Sequence, residues 1–304
     1  MHVDPLSSIW QQEIQDILRG AAGGFLFGIP LLYTVEVWSI GSSTVAPQRL
    51  AVLGATFMVV LLLTQAVGFR RTLTLNPLDA VLESIEALGI GVVCAAIALV
   101  LLRRITLDTP LSEMLGKLIF EGVPFSLGVA LAQSTLTQRR DDSPMYRGER
   151  RSSSASSRSD QTTSNPLRLQ LTSISETLID LDATLLGAIL IAFSIAPTEE
   201  IPILAAAVPP LWLLLIVTAS LVLSYIIVFA SGFADRWERQ QRGLLLGPVT
   251  ETLVAYLVAL VASTVMLIFF QQLSLQDPWQ EWLSNTLVLG LPASVGGAAG
   301  RILR

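Results

Sequence analysis

Long uncharged apolar runs are the feature that most constrains the fold of this chain. Each is about 20 residues long, which is the length that a helix needs to cross about 30 Å of hydrocarbon. Of the 304 residues, 52% are hydrophobic and only 14% are charged, whereas roughly 25% are charged in an average soluble domain. The sequence therefore predicts an all-α, polytopic transmembrane bundle whose main partner is the lipid bilayer, with no nucleic-acid partner.

Eight membrane spans are predicted from the apolar runs. They cover residues 20–40, 48–69, 80–102, 112–134, 180–207, 209–232, 246–270 and 284–301. Because eight is even, both termini should lie on one side of the membrane. With the termini in the cytoplasm, the inner segments carry 15 Arg and Lys residues and the outer segments carry four. The positive-inside rule therefore predicts cytoplasmic termini.

Two membrane units joined by a polar linker are predicted. Residues 1–19 should form a cytoplasmic or interfacial helix, and residues 20–135 and 169–304 the two units. Between them, residues 136–168 are rich in Ser and Arg and have almost no large apolar side chain. Such a segment cannot bury a core, so it is predicted to be a disordered cytoplasmic linker. Contact with anionic lipid, phosphorylation and a plain connection all remain open.

The two units align with an offset of 168 residues, which predicts a tandem repeat. Each unit would hold four spans in the same orientation, as in transporters built from parallel repeats. The identical pairs in the last span of each unit include Glu113 with Glu281, Gly122 with Gly290, Pro124 with Pro292, Ser126 with Ser294 and Gly128 with Gly296. The same offset pairs Glu83 with Glu251, and an offset of 167 pairs Pro30 with Pro197.

Small residues and prolines recur at the predicted contacts between helices. GxxxG spacings occur at Gly20, Gly24 and Gly28, and again at Gly296 and Gly300. They favour close helix packing, either within the chain or in a homo-oligomer. Helix breaks or kinks are predicted at four prolines, where freed backbone carbonyls could face a cavity: Pro30, Pro124, Pro197 and Pro292.

Carboxylates within the apolar runs are the best candidates for a functional site, because ionisable groups in a bilayer are costly. The adjacent Glu199 and Glu200 are flanked by prolines, and Glu36 and Glu121 lie in the same outer half; Glu83 and Glu251 lie towards the inner face. Two neighbouring carboxylates in a low dielectric do not both stay ionised without a cation. All six are therefore predicted to bind protons or small cations, with the metal, if any, unspecified.

Other chemistry has little support in the sequence. The chain has one histidine, His2, and one cysteine, Cys94, and it contains no phosphate-binding glycine loop and no nucleophile elbow. These residues offer no zinc, thiol or serine-hydrolase constellation. No cofactor and no enzymatic activity are expected.

Several segments resemble an uncharacterised bacterial integral-membrane family, common in cyanobacteria, whose domain has no known function. They are GGFLFGIPLLYTVEVW, AVLESIEALG, FEGVPFSLGVALAQ and APTEEIPIL. The resemblance covers nearly the whole chain apart from the central linker. It implies a multi-pass protein of the bacterial inner (plasma) membrane, and it brings no activity, substrate or catalytic residue.

Three functions are compatible with these observations. The first is a cation- or proton-coupled transporter or channel that uses the intramembrane glutamates. The second is a membrane scaffold or subunit whose carboxylates pair with Arg103, Arg104 or Lys117 and whose basic linker docks a cytoplasmic partner. The third is a lipid-handling protein. The proline-flanked acidic residues favour the first.

Overall fold

A computed structural model of the chain describes residues 5–68, 77–140, 166–230 and 247–302. These ranges form ten helices and contain no strand, so the predicted all-α fold is confirmed. The first five are α1 (Pro5–Leu32), α2 (Val35–Ser43), α3 (Ala46–Gly68), α4 (Pro77–Leu101) and α5 (Leu111–Arg140). The next five are α6 (Pro166–Ile195), α7 (Glu200–Ala207), α8 (Pro210–Tyr225), α9 (Pro248–Phe269) and α10 (Trp279–Ile302).

The predicted linker lies mostly outside the described residues. Its central part, residues 141–165, is not described, while α5 runs on to Arg140 and α6 already begins at Pro166. The two ends of the predicted linker are thus helical. Proline is well suited to the first turn of α6, because its missing N–H would have no partner there in any case.

Two sharp bends interrupt the helical bundle. The axes of α1 and α2 differ by 88°, and those of α6 and α7 differ by 92°. Pro30 lies two residues before the end of α1, and Pro197 lies between α6 and α7. A proline ring removes one backbone hydrogen bond and crowds the preceding turn, which explains why the helices end nearby. Each of the short helices that follow the bends has a glutamate in its first turn, Glu36 in α2 and Glu200 in α7.

Within the described residues, five helices are long and apolar enough to cross a membrane, and the count rises to seven if each bent pair is one span. These five are α3, α4, α5, α8 with the π-helical turn Ile226–Ala230 that follows it, and α9. The predicted eighth span coincides with α10, which is not among them. Its residues Val288–Ala298 are buried and many are small, because other helices rather than lipid surround it. The count of eight stays a prediction.

Large apolar side chains cover the outside of the bundle. Leucine, isoleucine and valine are exposed along α3, α4, α8 and α9. A soluble monomer rarely exposes apolar surface on this scale. Lipid tails would cover this surface in a bilayer, so the exposure agrees with a membrane-embedded protein.

One helix in each half is surrounded by the others: α5 packs against α1 to α4, and α10 packs against α6 to α9. Close approach depends on glycine. A Cβ at Gly28 would overlap the Phe125 ring, and one at Gly296 would overlap the carbonyl oxygen of Gly187. The GxxxG glycines are thus used for packing inside the chain, and the homo-oligomer predicted through them stays a prediction.

The two halves share one hydrophobic core and meet through specific hydrogen bonds. The Tyr33 hydroxyl donates to the carbonyl oxygen of Val288 at 2.7 Å, and the Trp212 indole Nε1 donates to that of Leu101 at 2.7 Å. Val288 lies four residues before Pro292, whose ring nitrogen cannot donate to it. Tyr33 therefore satisfies a carbonyl that the proline leaves without its helical partner.

The helices α4 and α9 end in the same backbone turn. Arg103 and Gln271, which are 168 residues apart, have positive φ angles of 55° and 60° and are the non-glycine residues with this conformation in the described ranges. The residue after each donates its N–H back into the helix: Arg104 to Leu99 O and Gln272 to Leu267 O, both at 2.8 Å. Left-handed residues with such bonds are a common helix C-cap.

Candidate functional site

Glu121 is the most enclosed of the six predicted carboxyl groups. It lies near the middle of the Leu111–Gln133 span of α5, and its exposed fraction is 0%. Neither carboxyl oxygen has a hydrogen-bond partner among the described residues. An ionised carboxylate without a partner is very unfavourable in such a place, since nothing replaces the lost water. The structure is therefore compatible with a neutral acid or with a bound cation at this position.

A lysine lies one helical turn from Glu121 on the same face of α5. The Nζ atom of Lys117 forms an ion pair with Glu113 Oε1 at 2.6 Å and donates to the carbonyl oxygen of Arg104 at 2.9 Å. Residues four apart on a helix are neighbours, so Lys117 lies between Glu113 and Glu121. Sequence reasoning missed this arrangement, although the i, i+4 spacing of the three residues could have indicated it.

Glu199 and Glu200 lie at the break between α6 and α7. Glu199 precedes the first residue of α7, is exposed, and makes no capping hydrogen bond with its side chain. Glu200 is half-buried, and its Oε2 atom is buried without a hydrogen-bond partner in the described residues. The adjacent acids therefore have different surroundings, with only Glu200 directed into the protein.

Glu36 and Glu83 are both exposed. Glu36 lies in the first turn of α2, where a negative charge complements the helix dipole, and Glu83 lies in the second turn of α4. In the described part of the chain, no three His, Cys, Asp or Glu side chains are close enough to hold a metal ion. The structure thus does not gather Glu36, Glu121, Glu199 and Glu200 into one metal-binding group.

Glu251 has a cationic partner that sequence reasoning did not assign. Arg301, at the end of α10, forms an ion pair with Glu251 in the first turn of α9, and its guanidinium lies 5.6 Å from the centre of the Phe229 ring. Arg301 is only 2% exposed, whereas the Glu251 side chain is 35% exposed. The ion pair therefore links α9 to α10 at the end of the bundle that is predicted to face the cytoplasm.

The four candidate prolines have two different environments. Pro30 and Pro197 are next to the bends described above. Pro124 and Pro292 lie inside α5 and α10, and both helices continue through them. Their rings leave the carbonyls of Phe120 and Val288 without the usual backbone donor, and Val288 is the one that accepts the Tyr33 hydroxyl.

Arg103 and Arg104 stack on tryptophans at the predicted outer end of the bundle. The Arg103 guanidinium lies 5.6 Å from the centre of the Trp212 ring, and that of Arg104 lies 4.9 Å from the centre of the Trp38 ring. Burial lowers the pKa of Arg104, and the cation–π contact offsets part of the cost of burying its charge. These contacts would accommodate the two arginines if this end of the bundle is the outer one, as the positive-inside rule predicts.

Comparison with protein families now adds to the geometry. The profile of one family of integral membrane proteins matches residues 16–303. The chain belongs to the integral membrane protein family DUF2391. Membership, together with the apolar helices, establishes a multi-pass integral membrane protein of a family with no known function. No curated protein and no solved structure matches the chain.

Proposed function

We propose that this protein is a proton- or cation-coupled membrane transporter or channel, without enzymatic activity, that operates through intramembrane glutamates. The observation that carries the proposal is Glu121, a fully buried carboxyl group near the middle of a membrane span, whose two oxygens have no hydrogen-bond partner in the part of the chain that the structure describes. Intramembrane ionisable groups of this kind typically belong to ion or proton pathways. A purely structural role would be expected to provide a partner for the group.

The other acids are assigned to the two ends of the pathway. Glu200 has one buried oxygen without a partner, and with Glu199 and Glu36 it would receive ions from the outer side. Glu83 and Glu251 would exchange them with the cytoplasm. The ion pair between Glu251 and Arg301 would then act as an inner gate, because it must loosen before Glu251 can bind a proton or cation.

We also infer that the chain is a tandem repeat of parallel units in the bacterial inner membrane, with both termini in the cytoplasm. In support, each half has the same order of a long helix, a short bent helix and three further helices. The bends of 88° and 92° and the turns at Arg103 and Gln271 recur at matching positions. The excess of Arg and Lys in the cytoplasmic segments supports the orientation.

The experiment that tests transport is ion flux into liposomes containing the purified protein. Fluxes of protons, Na⁺, K⁺ and divalent cations would be recorded with ion-sensitive dyes. We expect Glu121→Gln to reduce the flux of the coupled ion at least tenfold, and Glu199→Gln with Glu200→Gln to reduce it less. Glu281→Gln, an exposed residue at the matching end of α10, is the control and should have no effect.

Absence of every flux in the wild-type protein would contradict the proposal. A flux that is equal in wild type and in Glu121→Gln would exclude Glu121 from the pathway. The scaffold alternative has no specific observation in its favour: Lys117 pairs with Glu113, the two arginines stack on tryptophans, and the linker that would dock a partner lies largely outside the described residues.

A further inference from the structure

One face of α5 carries three ionisable residues that become progressively more buried along the helix. The side chain of Glu113 is 36% exposed, that of Lys117 is 10% exposed, and Glu121 is not exposed at all. At 1.5 Å per residue, the eight residues from Glu113 to Glu121 span about 12 Å along the helix axis. The face therefore leads from the end of the span towards its middle.

The same face is closed beyond Glu121. Phe125 and Val129, one and two turns further along, are fully buried. The Phe125 ring fills the space left by Gly28 and meets the Phe25 ring edge-on at 5.7 Å. Glu121 thus lies at the end of a line of polar groups that is open towards Glu113 and blocked by an aromatic side chain on the other side.

The matching face of α10 has no such line. An offset of 168 residues aligns Glu113, Lys117 and Glu121 with Glu281, Asn285 and Leu289. Glu281 is exposed, Asn285 is buried and uncharged, and Leu289 is a fully buried apolar residue. The lysine and the buried acid occur together in one half and are both absent from these positions in the other.

We propose that Glu113, Lys117 and Glu121 form a proton relay, in which Glu121 holds a proton and Lys117 is a counter-ion that moves between the two carboxylates. This inference rests on the proposed function and names its coupling ion as H⁺. Lys117 lies one helical turn from Glu121, and its ammonium group is at Glu113 in the structure. When the ammonium turns to Glu121, its positive charge excludes Na⁺, K⁺ or a divalent cation from that carboxyl group, whereas a proton bound as a neutral carboxylic acid needs no such space.

Charge is balanced in both states of the relay. In the first state of the proposed relay, Glu121 is a neutral acid, and the Lys117 ammonium is paired with the Glu113 carboxylate as it is in the structure. For transport, the Phe125 side chain must move aside so that water on the inner side accepts the Glu121 proton. In the same step the ammonium turns to the new Glu121 carboxylate, and Glu113 takes up a proton from outer water. Return of Lys117 to Glu113 accompanies transfer of that proton to Glu121. The three groups sum to zero charge in each of the two states.

The neighbouring helices bring few other charges to this face. Arg49 of α3 lies beside Gly116 and donates to the carbonyl oxygen of Thr44 at 2.5 Å. After α4, the Arg104 guanidinium is occupied by Trp38, and on α2 Glu36 is exposed. The other charged residues of α1 and α4 lie at the end of the bundle opposite to Glu113. They are Glu13, Asp16 and Arg19 of α1 and Asp79, Glu83 and Glu86 of α4. Lys117 is thus the cation placed to pair with Glu121.

Infrared spectroscopy of the protein in liposomes tests the relay without requiring transport. The spectrum of the wild type at neutral pH should contain a carbonyl band of a protonated carboxylic acid that disappears in Glu121→Gln and persists in Glu121→Asp. In Lys117→Met the band should persist to higher pH than in the wild type, because the ionised Glu121 has lost its counter-ion. Glu281→Gln and Asn285→Ala are the matched controls in α10 and should leave the band unchanged.

Proton flux measured on the same liposomes separates the two proposals. The relay predicts at least a tenfold loss of flux in Lys117→Met and partial retention in Lys117→Arg, which keeps the charge. A band that is the same in wild type and Glu121→Gln, or that does not respond to Lys117→Met, would overturn the relay even if ions are transported. The expected bands without any flux would support the relay as a charge switch and contradict the transport function on which it was proposed.

Discussion

The helices α5 and α10 occupy the same place in the two halves of the molecule, but their buried ionisable residues lie at different positions. In α5 these are Lys117 and Glu121, which together with the half-buried Glu113 run from one end to the middle of the span. In α10 the corresponding stretch is neutral after Glu281, and the buried charge is Arg301, in its last turn. Backbone packing is thus similar in the two halves, while the electrostatics differ.

The partner helices show the complementary difference. Glu83 of α4 and Glu251 of α9 are 168 residues apart, but among the described residues an arginine partner is seen for Glu251 alone, and Arg301 aligns with Gln133 of α5. The half with the buried acid therefore lacks the ion pair at the other end, and the half with the ion pair lacks the buried acid. The comparison teaches that the close packing at glycines and the helix breaks at prolines recur in both halves, whereas the buried ionisable residues differ between them.

The largest effect on stability is expected from Arg301→Leu. The substitution leaves Glu251 without its buried partner, and breaking a buried pair in this way costs about 3–5 kcal/mol. We expect the lower end, about 3 kcal/mol, because Glu251 is a third exposed. Thermal or denaturant unfolding in detergent micelles measures it. Glu83→Gln, which neutralises the acid that aligns with Glu251, should alter stability by less than about 0.5 kcal/mol, and equal losses would remove the contrast between the halves.

Alanine at the packing glycines should have the next largest effect, and a similar one in both halves. Gly28→Ala would press a methyl group into the Phe125 ring, and Gly296→Ala would press one into the backbone of α6. Overpacking of this kind typically costs about 1–3 kcal/mol. The control is Gly89→Ala, where a Cβ meets nothing within 4 Å, so higher helix propensity should stabilise the protein by up to about 1 kcal/mol. A loss confined to one half would argue against a shared scaffold.

Removal of the hydroxyl that joins the halves should cost about 1 kcal/mol. Tyr33→Phe deletes the hydrogen bond to the Val288 carbonyl, and the net value of such a bond is about 0.5–1.5 kcal/mol. In the background of Pro292→Ala, the new backbone N–H can serve the same carbonyl, so the loss should be smaller. Unfolding of the two single variants and the double variant measures this coupling. Tyr225→Phe, at an exposed position of α8, should be neutral, and additive losses would show that the freed carbonyl is not what Tyr33 satisfies.

The smallest effect on stability is expected from Glu113→Gln. It removes the charge of an i, i+4 ion pair at the half-exposed end of α5 but leaves an amide oxygen that can accept from Lys117, which also keeps its bond to the Arg104 carbonyl. We therefore expect a loss of only about 0.3–0.5 kcal/mol. Glu281→Gln, at the matching position of α10, has no lysine four residues later and should cause no measurable loss. Chemical denaturation at low and at high salt would test this, because screening should reduce the first effect. A loss above 1 kcal/mol would mean that Lys117 cannot remain buried without Glu113.

Much of the fold could be predicted from the sequence, because its determinants are local. The predicted runs 48–69, 80–102, 112–134, 209–232 and 246–270 coincide with α3, α4, α5, α8 and α9. A span needs only enough consecutive apolar residues, which a linear pattern reveals. The predicted run at 284–301 coincides with α10 but is not apolar enough to stand alone, since its environment is other helices. Only the packed structure distinguishes these cases.

The candidate site was less predictable. The sequence singled out all six glutamates, but it gave Glu199 and Glu200 the central place, because they are adjacent and flanked by prolines. The structure leaves Glu199 exposed and encloses Glu121 instead. The ion pair of Glu251 with Arg301 was not anticipated either, because 50 residues separate the partners along the chain.

The sequence by itself therefore determined that this chain enters a membrane, where its apolar helices lie, and which few acids interrupt them. These properties depend on composition and spacing along one dimension. Only the tertiary structure decided which acid is enclosed, which is paired and which faces outward. Burial and pairing depend on side chains contributed by distant helices, as when Arg301 reaches Glu251 or when Phe125 fits against Gly28 beyond Glu121.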